Sequence, residues 1–279
     1  MARIIFVLLI ATGFGCVSNH IQYGNYNMDK NARYEVVKDE EPFRYICHLV
    51  VHRRWGGPFP STGFLVSDNV ILTAGHSVGE YRKIFPNRIQ SVEIKLFEYF
   101  KDTTDYRCAL SVKLDRSEIE QIESHSQFKG KKSRLFDYGY IKLKTDILGK
   151  VAGGHFDLAE YESTGSASDD VFITGYPADL QAIKEGSLWN KGSKKECVTT
   201  SENYLTYGIY THKGDSGAPV WMKVNDKYYV VGIHNTGYKT CNGGTKVTED
   251  VIDYVKGIIA EKEKIVANEC EKLVIEDED

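Results

Sequence analysis

No two cysteines in this sequence stand in Cys-x-x-Cys spacing; the six, at positions 16, 47, 108, 197, 241 and 270, are scattered along the chain. That scatter argues against a metal centre, and no cofactor is expected. Excess positive charge is absent as well. The formal net charge is −4 and the pI is near 6.1, so neither nucleic acid nor an anionic membrane surface is expected as a partner. Long hydrophobic runs are also missing: the apolar stretch at the N-terminus, Ile4 to Ala11, is too short to cross a bilayer.

That short stretch has another use. It follows a single positive charge at Arg3 and precedes small residues at Gly13 and Gly15, the layout of a secretory signal peptide. Residues 1–18 are read as the signal, cut between Gly15 and His20, which makes the chain a secreted one. A variant of this reading rests on Gly15-Cys16, which looks like the end of a bacterial lipoprotein signal and would hold the chain on the cell envelope through Cys16. Gly13 and Phe14 fit that pattern poorly. Export makes disulfides possible. If Cys16 leaves with the signal and Cys270 is the odd cysteine, four remain, with three connectivities open. Pairing Cys47 with Cys108 and Cys197 with Cys241 would keep each bridge within one half of the chain.

What the sequence has in quantity is tyrosine, phenylalanine and glycine, at 18, 12 and 25 residues of 279, with many short Val/Ile/Thr runs. This composition favours strands, and an all-β fold is expected. Residues 19–41 are polar and without period, and read as a leader or propeptide outside the core. Strands follow at Tyr45 to Val51, at Thr62 to Val66, and at Val70 to Thr73 after the turn Ser67-Asp68-Asn69. A further strand is read at Gln90 to Phe97, and much of the charged segment from Lys101 to Lys132 reads as an inserted surface excursion. A second group of short strands begins after residues 163–168, so the body, 42–264, divides into halves at about 42–150 and 151–247. At the end, Thr248 can cap a helix over 248–264 whose Val251, Ile252, Val255, Ile258 and Ile259 share one face. The acidic tail, 265–279, is given no function.

Between His212 and Val220 the sequence reads His-Lys-Gly-Asp-Ser-Gly-Ala-Pro-Val. Ser216 stands between Gly214 and Gly217, where the backbone can bend sharply and turn amide N–H groups toward one point. Alone, this is also an ordinary turn signature. A serine hydroxyl becomes a nucleophile only when a base takes its proton, and the base must be held in one tautomer by a third group. His76 lies just past the apolar strand at residues 70–73, and Asp137 heads the strand that begins at Tyr138. Together they supply base and orienter in the chain order His, Asp, Ser.

Leu72-Thr73-Ala74-Gly75-His76, Asp137-Tyr138-Gly139-Tyr140-Ile141-Lys142-Leu143 and Gly214-Asp215-Ser216-Gly217-Ala218-Pro219 resemble the three signature blocks of chymotrypsin-fold serine endopeptidases. The likeness is nearest to the glutamyl endopeptidase (V8-like) branch, through Ile173-Thr174-Gly175-Tyr176-Pro177 and Val231-Gly232-Ile233-His234. It runs from about Tyr45 to Ile259. The resemblance implies two six-stranded antiparallel β-barrels, with a triad of His76, Asp137 and Ser216 in the cleft between them. It also implies an oxyanion hole made by the N–H groups of Gly214 and Ser216. Thr211 and His234 fall where that branch lines its S1 pocket, which implies peptide or protein substrates with Glu at P1; Asp and Gln stay open there. A catalytically silent binding protein on the same fold is the alternative, and such proteins usually lose a triad residue. Gly75 and Ala218 depart from the animal members, no disulfide flanks the histidine, and no trypsin-type Ile-Val-Gly-Gly start is present.

Intact mass measurement of the exported protein is expected to find residues 1–15 removed; a product retaining them would end the signal-peptide reading.

Overall fold

The computed structural model describes residues 28, 32–36, 40–79, 88–101, 105–164, 170–181, 188–193, 198–237 and 241–260. The expected signal peptide, Cys16, Cys197, Cys270 and the acidic tail lie outside the described residues. The β-branched and aromatic runs seen in the sequence become the strands of two curled, almost wholly antiparallel sheets.

The first sheet is built from β2 (Ile46–Arg53), β3 (Phe59–Leu65), β4 (Val70–Thr73), β5 (Ile89–Lys101), β6 (Asp105–Asp115), β7 (Ile119–Ser124) and β8 (Gly139–Leu143), in the spatial order β6-β5-β2-β3-β4-β8-β7. β4 is buried along its whole length, as a four-residue apolar run demands when a sheet curls over both of its faces. The turn before it is closed by the Val66 N–H donating to Val70 C=O at 3.0 Å. Asn69 Nδ2 donates to Leu143 C=O at 2.9 Å, tying that turn to the end of β8.

The second sheet holds β1 (Tyr34–Glu35), β9 (Asp157–Leu158), β10 (Val171–Gly175), β11 (Trp189–Ser193), β12 (Val198–Thr200), β13 (Tyr204–Tyr207), β14 (Pro219–Val224), β15 (Lys227–Gly237) and β16 (Asn242–Lys246). Its order is β1-β11-β10-β14-β15-β16-β13-β12, with β9 beside β15. Asn225 and Asp226, at φ 50° and 62°, form the hairpin turn between β14 and β15, a left-handed pair that these short polar residues tolerate. A helix over residues 249–260 closes the chain. Its Val251, Val255 and Ile258 are buried in the large core that the first sheet also fills, on the face expected from their spacing; residues 261–264 of the expected helix lie outside the described ones. The smaller core is internal to the second sheet, around Val171, Leu205, Val220 and Val231.

Three expectations change. The sheets have seven and nine strands rather than six each, partly because β1 and β9 are only two residues long and too short to show a period. Residues 105–115 and 119–124 are no surface excursion: β5 and β6 pair from Ser91↔Asp115 to Lys101↔Asp105, and β7 pairs with β8. Alternation was present there, with Leu110, Val112 and Leu114 packed against the core; the charged residues between them concealed it. Within the polar segment 19–41, residues 34–36 belong to the body. Tyr34 and Glu35 pair with β11, and Val36 is buried with its N–H donating to Leu188 C=O at 2.9 Å.

Cys47 is a free, buried thiol, so the pairing with Cys108 is not formed. The sheet explains this. Cys47 pairs with Leu96 of β5, while Cys108 lies on β6, on the other side of β5. Two strand spacings, about 10 Å, exceed the reach of a disulfide.

One buried cation joins the helix to the first sheet. Lys142, with its side chain wholly inaccessible, donates to Ile258 C=O at 2.8 Å and stands 3.3 Å from Glu120. Replacing it with Ala removes the partner of a buried carbonyl and leaves a void. Urea unfolding of Lys142→Ala is expected to show a loss of about 3 kcal/mol.

Candidate active site

His76 sits in α1 (Gly75–Val78), one turn that starts where β4 ends. The turn lies hard against the entry to β8: a Cβ on Gly75 would come within 2.9 Å of Tyr138 O and 3.2 Å of Asp137 Oδ1. Glycine here is what lets the histidine approach the aspartate. Asp137 is buried and accepts twice from His76: the backbone N–H reaches Oδ1 at 2.8 Å, and ring Nδ1 lies 2.9 Å from Oδ2 and 3.1 Å from Oδ1. A carboxylate at Nδ1 fixes the tautomer that leaves Nε2 free to accept a proton. The edge of His76 faces the Phe59 ring, centroids 6.1 Å apart.

Ser216 is on the tight loop before β14, and that loop is held from three sides. From the first sheet, the Thr62 N–H donates to Ser216 C=O at 2.9 Å and the Thr62 hydroxyl to Gly214 C=O at 2.8 Å. From the second sheet, the Gly217 N–H donates to His234 C=O at 2.7 Å. Within the loop, Ala218 N–H donates to Asp215 C=O, and Ala178 N–H reaches Lys213 C=O at 2.6 Å. Gly217, at φ +86°, has no room for a side chain: a Cβ would fall 2.1 Å from Thr73 Oγ1 and 2.7 Å from Ala74 N. The residue after Ser216 therefore touches the strand end that carries His76. The ring's hydrogen bonds run to Asp137, and a bond from Ser216 is not among them; such contacts commonly tighten only when substrate binds.

In a trans peptide the C=O and N–H point opposite ways. With Lys213 C=O turned to Ala178 and Asp215 C=O turned to Ala218, the N–H groups of Gly214 and Ser216 point away from those partners. Among the described residues neither donates to a backbone carbonyl. Beside them opens a cavity of about 660 Å³ lined by Thr211, Lys213, Ser216, His234, Asn235 and Thr236, among others, with no Asp or Glu in its wall among the described residues.

A family model for trypsin matches residues 37–258. The chain belongs to the trypsin family. It is 28% identical over 221 residues to a Bacillus subtilis (strain 168) protein named extracellular metalloprotease, covering 77% of this chain and 63% of that one; the chain thus spans under two thirds of the length of that relative. Among solved structures, a Glu endopeptidase in complex with MPD aligns with TM-score 0.62 at 24% identity, over 84% of this chain and 99% of that one. Protease Anisep from Arthrobacter nicotinovorans aligns at TM-score 0.56 and 14% identity, over 77% and 93%. At these identities the two structures are alike in fold.

In this trypsin-family chain the environment of the cavity is electrically distinctive. His234 is buried, and burial, seconded by the nearby His76, pushes its pKa down to about 3, against a hydrogen bond with Gly243 that favours the charged form. At neutral pH it is an uncharged imidazole, its Nδ1 2.7 Å from the Tyr207 hydroxyl. Asp215 is buried too, and burial pushes its carboxyl up to about 7, while the His212 N–H bond at 2.9 Å and the Arg33 charge work the other way.

Several residues that matter here escape sequence reading. Asn235 belongs to β15 of the second sheet, yet its Nδ2 donates to Asp137 C=O at 3.2 Å and to Thr245 Oγ1 at 2.9 Å, so it steadies the carboxylate's segment from across the cleft. Thr62 and Tyr207 are ordinary strand residues by pattern. Only the adjacency of Asn235 to the Gly-Ile-His block could have drawn notice. Metal ligation finds no donor set: among the described residues, no group of three or more His, Cys, Asp and Glu side chains converges.

A carboxyl whose pKa is raised by folding costs stability as pH climbs from its unfolded value near 4 toward about 7. Asp215→Asn, which stays uncharged and can still accept from His212, is therefore expected to melt above the wild type at pH 8. Thermal melts across pH should show that gap closing by pH 4.

Proposed function

We propose that this chain is a secreted serine endopeptidase acting on peptide or protein substrates through Ser216, His76 and Asp137. The observation that carries the reading is that His76 is held by Asp137 at Nδ1 while Ser216 lines the adjoining cavity. Attack begins when Ser216 Oγ approaches the scissile carbonyl and its proton passes to His76 Nε2. The carbonyl oxygen becomes an oxyanion, and the N–H groups of Gly214 and Ser216 receive it, each worth about 3 kcal/mol in the transition state. Collapse breaks the C–N bond, the amine leaves with the proton from His76, and an acyl ester remains on Ser216. Water then attacks that ester, with His76 again as base. Asp137 keeps the imidazole oriented throughout and stabilises the imidazolium. One relative's name mentions a metal, but among the described residues no donor set fits one, and no step is routed through it.

Glutamate at P1 is the preferred specificity, with Asp and Gln as lesser substrates. Among the described residues the cavity wall holds no carboxylate, and it offers the Thr211 hydroxyl, the His234 imidazole and the Lys213 ammonium. A basic P1 side chain would find no counter-charge there, and an aromatic one would strand polar donors without partners. Neutral donors around an incoming carboxylate avoid a buried, unpaired cation in the empty site. Export is supported by the N-terminal apolar run after Arg3 and by the extracellular relative. Among the described residues no helix is long and apolar enough to cross a membrane.

Purified protein assayed on peptides with Glu, Gln, Asp, Lys or Phe at P1 is expected to cut best after Glu. Ser216→Ala should lower kcat by about six orders of magnitude with little change in KM, and turnover surviving that change would refute the mechanism. His234→Ala should cut kcat/KM for Glu peptides at least tenfold more than for Gln peptides; an unchanged preference for Glu removes the pocket assignment.

A further inference from the structure

The oxyanion-hole amide of Gly214 depends on a peptide that has little intrinsic reason to hold still. Gly214 is at φ +99°, and a glycine on one side of a peptide lowers the steric barrier to turning it over. What keeps Lys213 C=O, and hence the Gly214 N–H, in place is the 2.6 Å bond from Ala178 N–H. Ala178 opens α2 (Ala178–Gln181), a single turn whose internal bonds run from the N–H groups of Leu180 and Gln181 to Pro177 C=O. One turn is too short to be stable by itself.

The turn is held from outside. Asp179, its second residue, accepts a bidentate pair from Arg33, Nη1 to Oδ1 at 3.0 Å and Nη2 to Oδ2 at 2.8 Å. The Arg33 side chain is 8% exposed, and its guanidinium lies 4.9 Å from the centroid of the Tyr210 ring. His212 Nδ1 stands 3.6 Å from Asp179 Oδ1 on the other side. Arg33 is itself anchored, because Tyr34 and Glu35 pair with β11 and Asn190 Nδ2 donates to the Tyr34 hydroxyl at 2.6 Å. A planar guanidinium that grips both carboxylate oxygens and stacks on a ring sets orientation as well as charge.

We propose that Arg33 is a positioning residue for the oxyanion hole: through Asp179 it fixes the Ala178 turn, which in turn fixes the direction of the Gly214 N–H. This rests on the serine-endopeptidase reading and adds a residue that no signature block contains. It also places residues 33–36 in the working enzyme, so any processing must cut before Arg33. The charge of Arg33 additionally favours the ionised form of buried Asp215, next to Ser216.

The test uses the full chain and two readouts. One is kcat and KM on a peptide with Glu at P1; the other is the rate at which diisopropyl fluorophosphate labels Ser216, a reaction that forms the Oγ–P bond, expels fluoride and needs no P1 side chain. Arg33→Met is expected to lower kcat and the labelling rate about tenfold each, with KM within about twofold, because the lost interaction is made in the transition state. Arg33→Lys should recover part of the loss. Val255→Ala, on the buried face of the C-terminal helix, should lower the melting temperature and leave kcat unchanged, which separates positioning from stability. If Arg33→Met does not fold, Asp179→Asn is judged by the same two readouts. Unchanged kcat and labelling in a folded variant, or a rise in KM alone, overturns the proposal. Labelling of the wild type without Glu cleavage overturns only the pocket assignment, whereas a wild type that is not labelled at Ser216 overturns the mechanism and this proposal together.

Discussion

The nucleophile loop, residues 213–217, presents buried carbonyls that no regular ladder can satisfy, and Thr62 of the opposite sheet satisfies two of them. Its N–H takes Ser216 C=O and its hydroxyl takes Gly214 C=O. The same oxygen accepts the Tyr176 N–H at 3.0 Å, and Thr73 Oγ1 donates to Thr62 C=O at 2.7 Å. An unpartnered buried carbonyl costs more than an ordinary hydrogen bond contributes, so the two sheets cannot separate here without exposing several such groups together. The relative placement of Ser216 and His76 is a by-product of that requirement.

Charge around the site follows from the same closeness. His234 and Asp215 are both buried beside backbone groups they need, and burial drives each toward its neutral form. Two close pairs lie beside them: Asp137 with His76, and Asp179 with Arg33. A cavity walled by neutral donors, with Lys213 as its ammonium, is suited to an anion arriving with the substrate rather than one resident in the protein.

Much of this could be read from the residues in order. β4 and the hairpin before it were legible because an unbroken apolar run meets the turn formers Ser67, Asp68 and Asn69. The face of the C-terminal helix was legible because helical spacing survives whatever it packs against. β6 was missed because the polar residues Ser111, Lys113 and Asp115 alternate with Leu110, Val112 and Leu114, and a half-exposed edge strand tolerates that mixture. β1 was missed because two residues carry no period. The possible Cys47–Cys108 bridge failed on a fact of sheet order, since β5 lies between the two strands.

The sequence by itself determined the chemical parts: a serine among glycines, a histidine past one strand, an aspartate before another, and an all-β frame to hold them. Those follow from local steric demands, which neighbouring residues alone express. Tertiary structure decided the rest: which carbonyls Thr62 takes, that Asn235 steadies the Asp137 segment from the far side of the cleft, and that Arg33 reaches Asp179, 146 positions away in the chain. These are long-range pairings among polar groups that water would satisfy equally well in an unfolded chain. They acquire a specific partner only when burial has removed the water.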